Sequence, residues 1–249
     1  MKRILAIILT VLMIGAALTA CGTQVVSSGK TETVAKTDKT DKTDKEGETV
    51  NYEAKSTEAL LDINDVPAAD LNAADAEYQH KEPVKGEEVA TLHTNYGDIS
   101  IKFFPEVTPK AVASFKALAK AGRYDDTIFH RVINNFMIQG GDYTNFNGTG
   151  GESAYGEEFD LEISDYLQNI EGAVAMANRG PGTNGSQFYI NQVNNNYLDG
   201  NYTVFAQVFD GMDVVNDIAE VQTDSSDKPV NDVILESVEI GRASCRERV

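Results

Sequence analysis

Phe129-His-Arg-Val-Ile-Asn-Asn-Phe-Met-Ile-Gln-Gly-Gly-Asp142 is the densest stretch of unusual residues in a chain of 249. A β-rich run seldom carries Arg at its centre without a partner or a ligand, which makes Arg131 a candidate functional group. Gln139 stands eight residues further on, an even spacing that would put both side chains on one face of a continuous strand. The Asn134-Asn135 turn interrupts that strand, so spacing suggests a shared face without fixing it. Phe136 and Met137 add an aromatic plane and an adaptable thioether, with plain core packing as the competing reading. His130, although next to Arg131, reads as a core or barrel-edge histidine with its hydrogen bonds satisfied.

A second segment, Met176-Ala-Asn-Arg-Gly-Pro-Gly-Thr-Asn-Gly-Ser-Gln-Phe-Tyr-Ile190, contains a decoy. Gly180 to Gly185 matches the GxGxxG pattern letter for letter. A dinucleotide site needs a helix after the glycines, because the helix N-terminus holds the pyrophosphate. Here strand-like Gln187-Phe-Tyr-Ile190 follows and Pro181 sits inside the turn, so nucleotide binding is set aside. Gly148-Thr-Gly-Gly151 lacks the Lys-Ser/Thr of a P-loop.

Outward from these segments the texture is β-rich from about Glu88. Val89–Thr94 and Ile99–Phe104 flank the turn Asn95-Tyr-Gly-Asp98 and predict a hairpin. Thr108-Pro109 predicts an N-cap with Pro at the first helical position. Ala111, Val112, Phe115, Leu118 and Ala119 form the apolar stripe of that helix, and Gly122 closes it. Short strands are expected at Thr127–Ile133, Met137–Gly140, Ala173–Ala177, Gln187–Asn191 and Val204–Phe209. A helix around Met212–Ala219 and a last strand, Val233–Ile240, complete the set. Many short strands with Gly-rich turns and two helices indicate a mainly β barrel or sandwich.

The rest of the chain reads differently. Lys2 and Arg3 precede a 15-residue apolar run, Ile4 to Leu18, shorter than the roughly 20 residues that span a bilayer. The first twenty residues are therefore expected to be a signal peptide. It ends in Leu18-Thr-Ala-Cys-Gly22, which resembles a bacterial lipobox, with Cys21 as the lipidated residue. Residues 21–87 read as an acidic flexible linker. Thr37-Asp-Lys-Thr-Asp-Lys-Thr-Asp-Lys45 is low in complexity, and residues 22–87 hold 8 Lys against 15 acids. Gly241–Val249 carries three of the seven Arg of this acidic chain and resembles a translated sequencing adapter, so 241–249 is expected to lie outside the native fold.

Composition narrows the function. With 21 Lys and Arg against 39 Asp and Glu, a net of −18, nucleic acid and anionic membrane surfaces are poor partners. Two Cys, Cys21 and Cys245, and three His, His80, His93 and His130, give no CxxC, no HExxH and no zinc ribbon. No metal and no cofactor is expected. Nothing suggests an oligomer, so a monomer is the default.

Taken together, 129–151, 176–190 and Tyr197-Leu-Asp-Gly-Asn-Tyr-Thr-Val-Phe-Ala-Gln-Val208 resemble the cyclophilin family of peptidyl-prolyl cis/trans isomerases over residues 88–240. The resemblance implies a closed eight-stranded antiparallel β-barrel capped by two α-helices. It implies Arg131, Phe136 and Gln139 as the catalytic set. Met137, Tyr189 and Leu198 would line the proline pocket with Phe136, and Ala177, Asn178 and Arg179 would hold the substrate main chain. Tyr197 and Tyr202 match further substrate-binding positions. Three residues depart from the usual pattern. Tyr189 replaces a frequent Phe and adds a hydroxyl at the pocket wall. Tyr197 replaces a Trp of some members, which weakens the expectation of cyclosporin-type binding. Tyr202 replaces a frequent His.

With the lipobox, the resemblance implies an extracytoplasmic, lipid-anchored isomerase whose partners are proline-containing polypeptides and, through Cys21, the membrane. X–Pro rotation faces about 18–20 kcal/mol because it breaks amide resonance. A donor aimed at the prolyl amide and a dry pocket around the ring suffice, with no nucleophile. A non-catalytic proline-peptide-binding chaperone on the same fold is the alternative. A lipoprotein presenting a ligand to a transporter is disfavoured, because about 150 residues leave no room for a two-lobed clamp.

Overall fold

The structure, a computed structural model, describes residues 41–43 and 49–244. The leader, Cys21, Cys245 and most of the Thr-Asp-Lys repeat lie outside the described residues. A short antiparallel pair, β1 (Asp41–Thr43) and β2 (Thr49–Asn51), comes first. The main domain then runs β3 (Glu88–Thr94), β4 (Gly97–Phe103), α1 (Pro109–Lys120), β5 (Thr127–Ile128) and β6 (Arg131–Ile133). It continues with β7 (Met137–Gly140), β8 (Ala173–Met176), β9 (Phe188–Asn191), β10 (Val204–Asp210), α2 (Met212–Ala219) and β11 (Ile234–Arg242).

Nine of these strands form one curled antiparallel sheet, a half-barrel, in the order β5-β11-β3-β4-β10-β8-β9-β7-β6. The ladder has two ends, β5 and β6, and closure into the expected ring of eight strands is not among the pairings of the described residues. The cause is local. Phe129-His130 interrupt the run 127–133, so that β5 ladders with β11 while β6, three residues later, ladders with β7.

Helix α1 follows from its stripe. Ala111, Val112, Phe115, Leu118 and Ala119 are all buried against the sheet. The Phe115 ring lies at the centre, 5.0–5.8 Å from the rings of Phe103, Tyr124, Phe188 and Phe205. Burying a side chain of this size contributes about 2–3 kcal/mol. The N-cap differs from expectation. Thr108 Oγ1 donates to Phe104 O and leaves the helix amides uncapped. Glu162, more than fifty residues away, accepts from Lys110 N and Ala111 N, each at 3.0 Å. Gly122 ends the helix at φ +66, with Arg123 N donating to Leu118 O and Gly122 N to Ala119 O, a Schellman motif. Helix α2 buries Val215, Ile218 and Ala219 and packs against β4, β6 and β7.

The linker also differs from its expectation. From Tyr52 onward it lies along the domain as a strap. Leu60 N and Leu61 N both donate to Ala154 O, and Asp70 N donates to Glu106 O. Gln79 is buried, donating to Gln168 O and Gln207 Oε1 and accepting from Gln168 N. Lys102, also buried, donates its ammonium to Tyr78 O and Lys81 O of the strap. Segment-wide acidity concealed the few apolar side chains that matter. Leu61, Ile63 and Val66 pack on the main core, and Ala74 and Tyr78 on a second cluster around Phe104 and Met137.

The segment set aside at the C-terminus begins inside the sheet. Gly241 pairs with Val89 and Arg242 with Glu88, and Ala243 N donates to Glu87 O. A β-ladder is made by backbone groups, so residues that look foreign by composition can extend it.

Candidate active site

One row of side chains crosses four strands. Arg131 on β6 is the cross-strand partner of Gln139 on β7, Gln139 of Tyr189 on β9, and Tyr189 of Ala175 on β8. Directly paired residues lie on the same face of a sheet. The hairpin thus brings Arg131 and Gln139 together by pairing instead of by strand periodicity. Its turn, Asn134 to Phe136, holds Asn135 at φ +59. Asn135 N donates to Gln192 Oε1, while Gln192 N and Asn195 Nδ2 both donate to Phe136 O. This anchors the backbone that carries the Phe136 ring.

The row borders a cleft of about 370 Å³. Arg131, Phe136, Met137, Gln139, Ala177, Asn178, Tyr189, Leu198 and Tyr202 all line it, together with His130, Asn147, Gly148 and Ser226. Met137 and Tyr189 are buried, and Leu198 reaches in from a 3-10 turn, Asn196–Leu198. Two expected residues stand apart. Tyr197 is 71% exposed and stacks on Phe136 at 6.2 Å and 20°, extending the aromatic rim outward. Arg179 pairs with Glu158 and lines an adjoining recess of about 100 Å³.

The Arg131 guanidinium is partly exposed and bonded through Nε alone, to Asp227 Oδ2 at 3.4 Å. The Asp227 main chain is held in turn, accepting from Val132 N at 2.8 Å. The two terminal nitrogens of Arg131 have no partner among the described residues. Asn178 uses its side chain on Gly180 N and Asn201 O, and its own N–H and C=O have no partner among the described residues. Free main-chain groups beside a sheet suit an extended peptide.

Tyr189 corrects the expectation of a hydroxyl at the pocket wall. Its hydroxyl donates to Asn169 Oδ1 at 2.7 Å, inside a buried cluster with Asn191 and Asn195, and burial pushes the phenol pKa far up. The ring alone faces the cleft, edge-on to Tyr202 at 5.7 Å and 85°.

His130 corrects another expectation. It is buried, and neither ring nitrogen has a hydrogen-bond partner among the described residues. Burial pulls its pKa down to about 4, outweighing the attraction of Asp142, so the ring is neutral at ordinary pH. Asp142 is fully buried too, and burial alone would raise its pKa. The N–H groups of Asn145, Gly150, Thr144 and Asn147 outweigh that effect and hold the carboxyl below its ordinary value.

Sequence reasoning missed Asp227 and Gln187. Gln187 could have been suspected as a polar residue opening an apolar strand. Asp227 carries no sequence signal, since it lies 96 residues from its partner in a polar loop. No group of three His, Cys, Asp or Glu suited to a metal occurs among the described residues.

The sequence profile of the family described as "Cyclophilin type peptidyl-prolyl cis-trans isomerase/CLD" matches residues 89–240. The chain belongs to this family. A putative peptidyl-prolyl cis-trans isomerase of Staphylococcus aureus (strain USA300) is 42% identical over 189 residues, covering 65% of this chain and 95% of the relative. Peptidyl-prolyl cis-trans isomerase 9 of Schizosaccharomyces pombe is 49% identical over 152 residues, 61% of this chain and 25% of the relative. Among solved structures, a Cryptosporidium parvum cyclophilin type peptidyl-prolyl cis-trans isomerase superposes with a TM-score of 0.61 at 38% identity. It spans 63% of this chain and 99% of that one. A second structure of that protein, in the presence of the dipeptide Ala-Pro, gives a TM-score of 0.60 at 39% identity, over 62% and 99% of the two chains. The protein is thus a cyclophilin-type peptidyl-prolyl isomerase. For such an isomerase a cleft with a guanidinium, an amide and apolar walls is chemically sufficient.

Proposed function

We propose that this isomerase acts on X–Pro bonds of exported proteins at the outer face of the cytoplasmic membrane, held there by lipid on Cys21. The observation that carries the catalytic part is the Arg131–Gln139 pair at the rim of a cleft walled by Phe136, Met137, Leu198 and the Tyr189 ring. The proline ring enters the apolar part. Gln139 and the Asn178 backbone hold the neighbouring peptide groups, and the free end of Arg131 meets the prolyl amide. As the bond twists, the prolyl nitrogen regains a lone pair that accepts a hydrogen bond. A donor in place beforehand then stabilises the twisted state more than either planar one. Each 1.36 kcal/mol of that preference is worth about tenfold in rate. The presence of Ala-Pro with the related Cryptosporidium protein supports a proline-containing peptide as the ligand of this protein.

The lipobox supports the location. With residues 52–87 seated on the domain, residues 22–51 separate Cys21 from it along the chain. We further read β5 and β6 as halves of one strand, which would join the ladder into an eight-stranded ring, and the protein as a monomer. Fractionation tests the location. The wild type should pellet with membranes and incorporate labelled palmitate, and Cys21→Ala should do neither. Labelling that persists in Cys21→Ala would refute the anchor.

A further inference from the structure

Gln139 can serve the substrate main chain only if its carboxamide faces the right way, and nothing in the cleft wall itself decides that. The surrounding hydrogen bonds do. Gln187 Nε2 donates to two backbone carbonyls, Gly148 O at 2.9 Å and Gly150 O at 2.7 Å. Both of its N–H groups are thereby used, and a flipped Gln187 would set its oxygen against two carbonyl oxygens. Its Oε1 is left facing Gln139, and it accepts from Gln139 Nε2 at 3.0 Å. A flipped Gln139 would in turn meet that oxygen with its own.

The two carbonyls are fixed as well. Buried Asp142 accepts from Thr144 N, Asn145 N, Asn147 N, Gly148 N and Gly150 N, and from the Thr144 hydroxyl. Gly148 stands at φ +88 flush on the His130 ring, where an added Cβ would fall 2.8 Å from Nε2. We propose that Gln187 is a positioning residue, which relays the order of the Asp142-caged loop to Gln139 so that Gln139 presents its oxygen, as an acceptor, to a substrate N–H. This rests on the reading of Gln139 as a main-chain ligand.

A double-mutant cycle tests the relay in the full mature chain with a proline-containing peptide. Gln187→Met should lower kcat/KM about tenfold in the wild-type background, the size of one misdirected hydrogen bond, and less than about twofold in the Gln139→Ala background. An equal loss in both backgrounds, or none in the wild type, overturns the relay, while the isomerase reading stands or falls separately on Arg131. Because Gln187 also braces the loop, a second measurement uses the unmutated chain. The Gln139 side-chain amide should show one proton shifted downfield and slow to exchange by NMR. Two protons at the shifts and exchange rates of a free glutamine side chain would overturn the proposal.

Discussion

Arg131 and Gln139 are direct cross-strand partners in the β6–β7 ladder, although eight residues and a turn separate them along the chain. Their side chains rise from the same face, one as a fixed donor and the other as an orientable amide, on opposite strands of one hairpin. The cleft is therefore organised around a rigid element, and the guanidinium of Arg131 is held at Nε by Asp227.

The pose of that guanidinium depends on Asp227. The pair is solvent-facing, so its net worth to stability is about 0–1 kcal/mol. Asp227→Gly, which accepts the φ of +62 at this position, should change unfolding free energy by no more than about that, yet lower kcat/KM about three- to tenfold by loosening the guanidinium. Urea denaturation alongside a peptide isomerisation assay separates the two effects. A large stability loss with unchanged rate would contradict this role.

The strap makes the boundary of the stable unit testable. A chain starting at residue 85 lacks Tyr78 and Lys81, whose carbonyls take the buried Lys102 ammonium. Burial already pulls that ammonium's pKa down. The shorter chain frees that ammonium to water but uncovers the apolar surface beneath Leu61, Ile63, Val66, Ala74 and Tyr78, which should destabilise the domain by about 3 kcal/mol or more relative to a chain starting at residue 52. Lys102→Met should cost stability in the longer chain, where it takes the donor from the Tyr78 and Lys81 carbonyls, and little in the shorter one. Equal melting temperatures of the two wild-type lengths would show that the strap is dispensable.

Much of the domain was legible in sequence because its signals are local. The α1 stripe, the β3–β4 hairpin and the last strand each follow from periodicity and turn residues within one segment. The site was legible where motifs carry it, at 129–142 and 176–190. What escaped were contacts between distant segments. Glu162 caps α1 in place of Thr108, Asp227 holds Arg131, and Tyr189 points its hydroxyl to Asn169. None of these has a periodicity. The strap escaped for another reason. A segment-wide charge count cannot weigh a few well-placed apolar and amide groups against the exposed majority.

His130 sets an acid limit. Its folded-state pKa of about 4 lies below the ordinary value near 6.5, so the unfolded chain binds more protons between those two values. The stability it confers is complete above pH 6.5 and falls as the pH drops toward 4, by up to about 3 kcal/mol. His130→Phe should flatten that window, since an apolar ring needs no partner there. Urea unfolding at pH 7, 6, 5 and 4 checks it. A mutant that loses stability as steeply as the wild type between pH 6.5 and 4 would assign the slope to other groups.

The most direct test is the isomerisation rate of Arg131→Ala, measured as kcat/KM on a proline peptide with folding checked by near-UV circular dichroism. Loss of a preorganised donor to the twisted amide predicts a fall of about a hundredfold or more, with the fold intact and Arg131→Lys recovering only part of it. A folded Arg131→Ala protein that isomerises the peptide at the wild-type rate would contradict the account and leave the cleft a proline-binding surface.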